Sequence, residues 1–268
     1  IGGAYALGLA NVLSSHIRDW DAVSYHLLLP VRWLLDRSFA ITPETNWHWG
    51  MPGNGEATMF VLLAGGLEPL MVLTQWLPLL SLALSVYCLA LSLSESRQAA
   101  WSCVAVLLTL PIVYHQAFSG YVDLFAAGFL VAAIALGERS LRSREEEGES
   151  PAGWLWITGL ACGIAVGSKY LYLAYGGLLG ITLVGLHAAR SRKPMSTAIS
   201  TARTLLLGIS VPSAFWYLRS TLLTGNPLFP LEVEFGGRVL LPGIPARAIS
   251  PADWAIGRWV RSQAEWLV

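Results

Sequence analysis

The sequence contains few charged residues. Lys, Arg, Asp and Glu make up 13% of its 268 residues, whereas about 25% is usual in soluble domains. So little charge cannot cover a water-facing surface of this size, which excludes a soluble globular protein. The 17 basic and 17 acidic residues cancel. We therefore predict no nucleic-acid partner, because such proteins carry a basic excess.

Cysteine is also scarce. Cys88, Cys103 and Cys162 all lie inside apolar runs and have no metal-ligand spacing. This pattern favours small buried hydrophobic residues over disulfides or a zinc site. No segment matches the phosphate-binding pattern GxxxxGK[ST], so the sequence offers no nucleotide site of that type.

Long uncharged runs are abundant, in a chain with 54% hydrophobic residues and a mean hydropathy of +0.55. Spanning helices need about 20 such residues. Two shorter runs reach this length if their terminal charges lie at the interface, and an apolar helix begins the chain. The sequence thus predicts an all-α polytopic membrane protein with about seven transmembrane helices. The predicted crossings are Ile1–Leu13, Pro69–Ser94, Gln98–Val122, Leu124–Gly137, Ser150–Ser168, Tyr170–Ala189 and Thr204–Leu218.

Loop charges predict the orientation. Eight of the 17 Lys and Arg residues fall in the short loops 93–100, 138–152 and 188–203. The positive-inside rule places these loops in the cytoplasm. The first external loop is then long, and within it we predict an interfacial helix over Ala22–Arg37, kinked at Pro30.

Ionisable residues at the ends of apolar runs are candidates for a functional site, because charge at membrane depth is costly. Asp21, Asp123, Lys169 and Arg219 all fall on the external side of this topology. Carboxylates can act as a general base or hold a metal, and cations can stabilise a leaving phosphate. Tyr25 follows Asp21 by four residues, so a helix would place both on one face.

Each charge also has a simpler interpretation. Asp123 could cap a helix N-terminus, Lys169 and Arg219 could anchor helix ends, and Asp19 could be an ordinary loop charge. Lys169 lies in a short turn between two apolar segments. We therefore expect few protein partners for its ammonium, which would leave it available to a phosphate.

Several segments that contain these residues resemble the multispanning GT-C glycosyltransferases, in particular the protein-mannosyltransferase-like family 39 and its bacterial relatives. The similarity runs through residues 1–230 in the order expected for the family. The segments that carry it are Trp20–Leu27, Pro52–Glu56, Tyr121–Leu124, Gly163–Tyr170, and Arg219 with Thr224–Pro230.

The resemblance implies a membrane glycosyltransferase that moves a sugar from a polyprenyl-phosphate donor to an acceptor hydroxyl by an inverting displacement. The implied partners are the lipid-linked sugar, a glycan, lipid or protein acceptor, and membrane lipids. The implied location is a bacterial inner membrane, with the active site facing the periplasm. We expect residues 1–230 to form the transmembrane catalytic region, truncated at its N-terminal end. Residues 231–268 would begin a truncated external loop or C-terminal region.

The resemblance also implies roles for individual residues. Many members of the family have Asp-Glu where this chain has Asp21-Ala22. This leaves open whether a divalent cation (Mg²⁺ or Mn²⁺) binds to Asp21 and Asp123, and whether Asp19 supplies the missing acid. The implied catalytic residues are Asp21 and Asp123, and the implied substrate-binding residues are Lys169, Arg219, Tyr25, His26 and Glu56.

Two other functions are compatible with the charges. A membrane transporter or lipid flippase could line its path with them, which predicts charges at mid-depth and broken helices. A non-catalytic scaffold for envelope assembly predicts that single-charge substitutions have no effect.

Overall fold

The described residues of this computed structural model are 2–13, 19–40, 47–71, 73–143 and 150–244. Apart from one hairpin, their regular structure is helical, which agrees with the predicted all-α membrane protein. The helices are α1 Gly2–Leu13, α2 Leu28–Asp36, α3 Asn54–Ala64, α4 Leu73–Ser94, α5 Arg97–Thr109, α6 Pro111–Ala117, α7 Asp123–Arg142, α8 Pro151–Val166, α9 Leu171–Ala189 and α10 Pro194–Thr224.

Four helices in the described part of the chain are long and apolar enough to cross a membrane. They are the helix that includes α4, then α7, α9 and α10, and the bent pair α5–α6 could provide a fifth crossing. The lengths of the helices therefore do not show the predicted seven or so crossings. α1 has 12 residues and α8 has 16, both shorter than a usual span. The runs over Leu124–Gly137 and Thr204–Leu218, in contrast, extend into the full-length helices α7 and α10.

A proline explains why the predicted crossing over Gln98–Val122 is broken. Leu110, the residue before Pro111, has extended backbone angles (φ −67°, ψ 123°). Proline disfavours a helical conformation in the residue that precedes it. α5 and α6 consequently meet at a bend of 69°.

The chain divides into two compact units. The first comprises residues 1–40 and 52–216, and the second comprises 41–51 and 217–268. Within the first unit, α7 packs against both α4 and α8. One hydrophobic cluster joins α1, α4, α6 and α7 through Tyr5, Leu79, Leu82, Val113, Ala117 and Leu124.

Glycines on α8 allow α8 and α10 to approach closely. A Cβ atom at Gly159 would lie 2.8 Å from the Leu205 carbonyl oxygen, and one at Gly163 would lie 2.3 Å from that of Ile209. Gly167 follows at the same spacing of four residues. Small residues repeated every four positions are typical of tight helix contacts in membranes. This packing fixes the end of α8 that leads into the turn containing Lys169.

Contacts between α7 and α9 show that the two helices run in the same direction. Lys169, just before α9, pairs with Asp123 at the start of α7. Near the other ends, the Ser140 hydroxyl and His187 Nε2 lie 3.0 Å apart, and both side chains are buried. Asp123 and Lys169 therefore lie at one end of this helix pair, as the topology predicts.

The segment that was predicted as an interfacial helix over Ala22–Arg37 forms two helical pieces. Residues Ala22–His26 make a wide π-helical turn, and α2 begins at Leu28. Pro30 is thus the third residue of α2. Proline is tolerated there because the first turn of a helix lacks partners for its N–H groups anyway. The change from π-helix to α-helix comes before Pro30, at Leu27.

The second unit contains a β-hairpin that the sequence analysis did not predict. Strands β1 (Val233–Phe235) and β2 (Arg238–Leu241) pair antiparallel. Gly236 and Gly237 connect them with φ of 58° and 75°, a left-handed conformation that suits a two-residue hairpin turn. Residues 245–268 of the predicted C-terminal region lie outside the described residues.

Candidate active site

The centre of the candidate site is an ion pair. Asp123 is the first residue of α7, and its carboxylate accepts a hydrogen bond of 2.6 Å from Lys169 Nζ. The Asp123 side chain is 45% exposed and that of Lys169 is 28% exposed. Lys169 thus has a protein partner for its ammonium, and the two residues come together across 46 positions of sequence. Both remain open enough to meet a ligand.

A buried glutamine holds the start of α7. Val122, at the N-cap position, makes no side-chain cap. Gln75 of α4, which is fully buried, instead accepts a hydrogen bond of 3.0 Å from the Phe125 N–H. It thus stabilises one of the N–H groups that a helix start leaves without a partner. The sequence analysis did not identify Gln75, because an apolar run with one amide gives no sign of its distant partner.

Acidic groups surround two tyrosines beside the ion pair. Burial raises the pKa of Tyr25, and the negative charges of Asp21, Glu56 and Asp123 raise that pKa further. Burial also raises the pKa of Tyr121, as do the charges of Asp21 and Asp19, against a lowering by a hydrogen bond with the Asp21 backbone. A raised pKa favours the protonated phenol. Both tyrosines are therefore neutral hydrogen-bond donors at neutral pH, and the charge of Asp21 acts on both of them.

His26 and Glu56 contact each other. His26 Nδ1 lies 2.6 Å from Glu56 Oε1, and both side chains are almost fully buried. Their pairing joins the π-helical turn to α3. His26 Nε2 and Glu56 Oε2 have no hydrogen-bond partner among the described residues. The structure thus places this predicted substrate-binding pair beneath Tyr25, whose ring centroid lies 4.0 Å from that of His26.

A more exposed pair lies near Tyr121. His115 Nε2 is 3.5 Å from Asp19 Oδ1, and the His115 side chain is 57% exposed. The rings of His115 and Tyr121 are 6.1 Å apart. Sequence reasoning did not identify His115, which lies at the end of an apolar run. The pair gives Asp19 a partner of its own, while the charges of Asp19 and Asp21 both act on Tyr121.

The side chains do not form a metal centre in the described part of the chain. No group of three His, Cys, Asp or Glu residues lies close enough to hold an ion there. Asp123, one of the predicted ligands, is engaged by Lys169. Whether Asp21 and Asp123 hold a divalent cation stays a prediction.

Arg219 belongs to the second unit, where it is buried. Its guanidinium donates a hydrogen bond to the Trp49 carbonyl oxygen, and the neighbouring Ser220 hydroxyl donates one of 2.9 Å to that of Gly50. These bonds fasten the 3₁₀ turn over Trp47–Gly50 to α10. The structure therefore gives Arg219 a scaffolding contact in addition to its predicted role at the phosphate.

The segment after α10 is fixed by one asparagine. Asn226 is fully buried, and its Nδ2 donates to the carbonyl oxygens of Leu231 (2.7 Å) and Pro242 (2.8 Å). Gly225 has φ of 75°, which favours glycine. These contacts explain structurally why Gly and Asn occupy the segment Thr224–Pro230.

A family model described as dolichyl-phosphate-mannose-protein mannosyltransferase matches residues 64–229, more than half of the chain. The chain belongs to this family. It is therefore a membrane glycosyltransferase of the GT-C type, which decides for the enzyme over the transporter and the scaffold. No significant match to a curated protein or to a solved structure accompanies this result.

The match covers only part of the candidate site. Asp123, Lys169 and Arg219 lie within residues 64–229. Asp21 and Glu56 precede the matched region, so their roles depend on the geometry of the first unit. That geometry brings Asp21 close to Tyr25 and Tyr121, next to the Asp123–Lys169 pair.

Proposed function

We propose that this glycosyltransferase moves a sugar from a polyprenyl-phosphate donor to an acceptor hydroxyl at the external face of the membrane. The observation that carries the proposal is the half-exposed Lys169–Asp123 pair next to the acidic surroundings of Tyr25. This arrangement puts a cation for a phosphate and a carboxylate for a hydroxyl proton in one part of the first unit. The matched family uses a lipid-linked sugar donor, which supports the same class of donor for this chain.

The reaction is a single displacement at the anomeric carbon. Asp21 takes the proton of the acceptor hydroxyl as the acceptor oxygen forms a bond to that carbon. The bond between the carbon and the phosphate oxygen breaks, and polyprenyl phosphate leaves with the electron pair. Attack from the side opposite the leaving group inverts the configuration. Tyr25 and Tyr121, kept protonated by their surroundings, donate hydrogen bonds to oxygens of the bound sugar or acceptor.

Lys169 holds the donor phosphate in this proposal. A compact ammonium on a flexible stem binds phosphate as a point charge. Asp123 keeps the ammonium in place while the donor is absent and shares it when the phosphate arrives. No step of the proposed reaction depends on a bound metal.

The acceptor is a hydroxyl of a protein, a glycan or a lipid, and the name of the matched family favours a protein. The bacterial inner membrane remains the location that we propose from the sequence resemblance. Membranes that contain the full chain should transfer label from one member of a panel of polyprenyl-phosphate sugars, whereas membranes with Asp21→Asn should not. A parent protein that transfers no sugar from any such donor would overturn the proposal.

The topology is tested by cysteine labelling in intact cells. Cys88 and Cys103 are exposed in the structure and are first replaced by alanine. Trp20→Cys then marks the predicted external side next to Asp21, and Arg192→Cys marks the cytoplasmic end of α9. An impermeant thiol reagent should label position 20 and leave position 192 unlabelled. The reverse pattern would contradict an externally facing site.

A further inference from the structure

Asn54, the first residue of α3, joins three elements of the first unit. Its side chain accepts a hydrogen bond of 2.7 Å from Trp216 Nε1 and donates one of 3.1 Å to the Ile164 carbonyl oxygen. Its backbone N–H donates a further bond of 2.9 Å to the Gly167 carbonyl oxygen. One residue thus ties the start of α3 to the end of α8 and to α10.

Gly167, which faces Asn54, leaves room for the Asn54 side chain. A Cβ atom at Gly167 would lie only 2.3 Å from Asn54 Nδ2 and 3.0 Å from the Pro212 carbonyl oxygen. No side chain larger than hydrogen fits there unless the amide moves. Gly167 has φ of −77°, so its backbone conformation does not require glycine. Close approach of Asn54 is the reason that the structure shows for glycine at this position.

We call Asn54 and its partners Ile164, Gly167 and Trp216 the asparagine clasp. Two members of the clasp are close in sequence to a predicted functional pair. Glu56, paired with His26, comes two residues after Asn54. Lys169, paired with Asp123, comes two residues after Gly167. We propose that Asn54 is a positioning residue that fixes the turn containing Lys169. This inference rests on the proposed function for its consequence, the placement of the phosphate-binding ammonium.

The physical reason is the flexibility of lysine. A lysine side chain has a flexible four-carbon stem. Its ammonium therefore takes a single position only when the backbone is fixed and the ammonium is paired. The turn after α8 has backbone hydrogen bonds to Ala165 from Ser168 and Lys169, but these act within its own helix end. Asn54 supplies the hydrogen bonds from α3 that fix this turn from outside. A small displacement of a catalytic group lowers rates substantially.

The sequence allows a direct test, because it contains only two lysines, Lys169 and Lys193. Lys193 is exposed and lies outside the clasp, so it is an internal reference. An amine-reactive ester is applied to the purified full chain in detergent, and the labelling rate at each lysine is measured by mass spectrometry. In the parent, Lys169 should react more slowly than Lys193, since its ammonium is paired and partly buried.

Asn54→Leu removes both side-chain hydrogen bonds at similar volume. We expect it to raise labelling of Lys169 relative to Lys193 by about fivefold or more, the change that loss of one typical hydrogen bond gives to an opening equilibrium. Gly167→Ala, which pushes the amide away, should act in the same direction. Thr109→Val is the control, because the exposed Thr109 hydroxyl donates to the Val106 carbonyl oxygen within its own helix, α5, and touches no member of the clasp. It should leave the ratio unchanged.

The outcomes separate this inference from the proposed function, because labelling needs no donor. An unchanged ratio in both Asn54→Leu and Gly167→Ala, with unfolding midpoints close to the parent, would overturn the role of the clasp even if sugar transfer is found. If the parent transfers no sugar but the variants still raise the labelling ratio, the result would support the role of the clasp and contradict the proposed function. If Asn54→Leu does not fold, the milder Trp216→Phe, which removes one bond, decides by the same ratio.

Discussion

Replacing Asp21 with asparagine should lower the rate of sugar transfer by about 100-fold or more. The amide keeps the size of the carboxylate but cannot accept the proton of the attacking hydroxyl. Asp21 is partly exposed and lies close to two tyrosines whose pKa its charge helps to raise. The measurement is the initial rate of transfer in membranes that contain equal amounts of inserted protein.

Asp19→Asn is the matched control for this prediction. Asp19 lies two residues away, and its carboxylate has an exposed partner in His115. We expect at most a few-fold loss when it is changed, since a partly exposed pair with a separation of 3.5 Å contributes little. Near-normal transfer by Asp21→Asn would exclude the proposed base. A larger loss in Asp19→Asn than in Asp21→Asn would move that role to Asp19.

The membrane helices could be predicted in part from the sequence. Uncharged runs identified α4, α7, α9 and α10, because the cost of burying charge in lipid leaves a direct mark on composition. The same rule overestimated the run with Pro111, where one backbone restriction divides it into α5 and α6. Composition alone cannot measure how far a helix extends, as the 16 residues of α8 illustrate.

The members of the candidate site could also be predicted, but not their partners. Asp21, Asp123 and Lys169 stood out because charge is rare next to apolar runs. Their contacts depend on how helices distant in sequence pack. The bond from Phe125 to Gln75 spans 50 positions, and that from Trp216 to Asn54 spans 162. No local pattern specifies such pairs, so they became visible only in the fold.

Lys169→Met should lower the rate of transfer at saturating donor by about 100-fold, the effect of losing one well-placed group that stabilises a developing anion. The leaving phosphate gains negative charge as the sugar departs, so the ammonium interacts more strongly with the transition state than with the bound donor. The maximal rate should therefore fall, and the affinity for donor should also weaken. Lys169→Arg should retain part of the activity, because its charge survives while its reach and geometry change.

The pairing of Lys169 with Asp123 makes this prediction more specific. Removing the ammonium leaves Asp123 without its cation, and its negative charge would then repel the donor phosphate. Asp123→Asn combined with Lys169→Met removes that repulsion, so the double variant should bind donor better than Lys169→Met alone while its maximal rate stays low. Lys193→Met, which removes the only other lysine, should behave like the parent. Parent-like turnover of Lys169→Met at saturating donor would show that Lys169 serves only to anchor the start of α9 through Asp123.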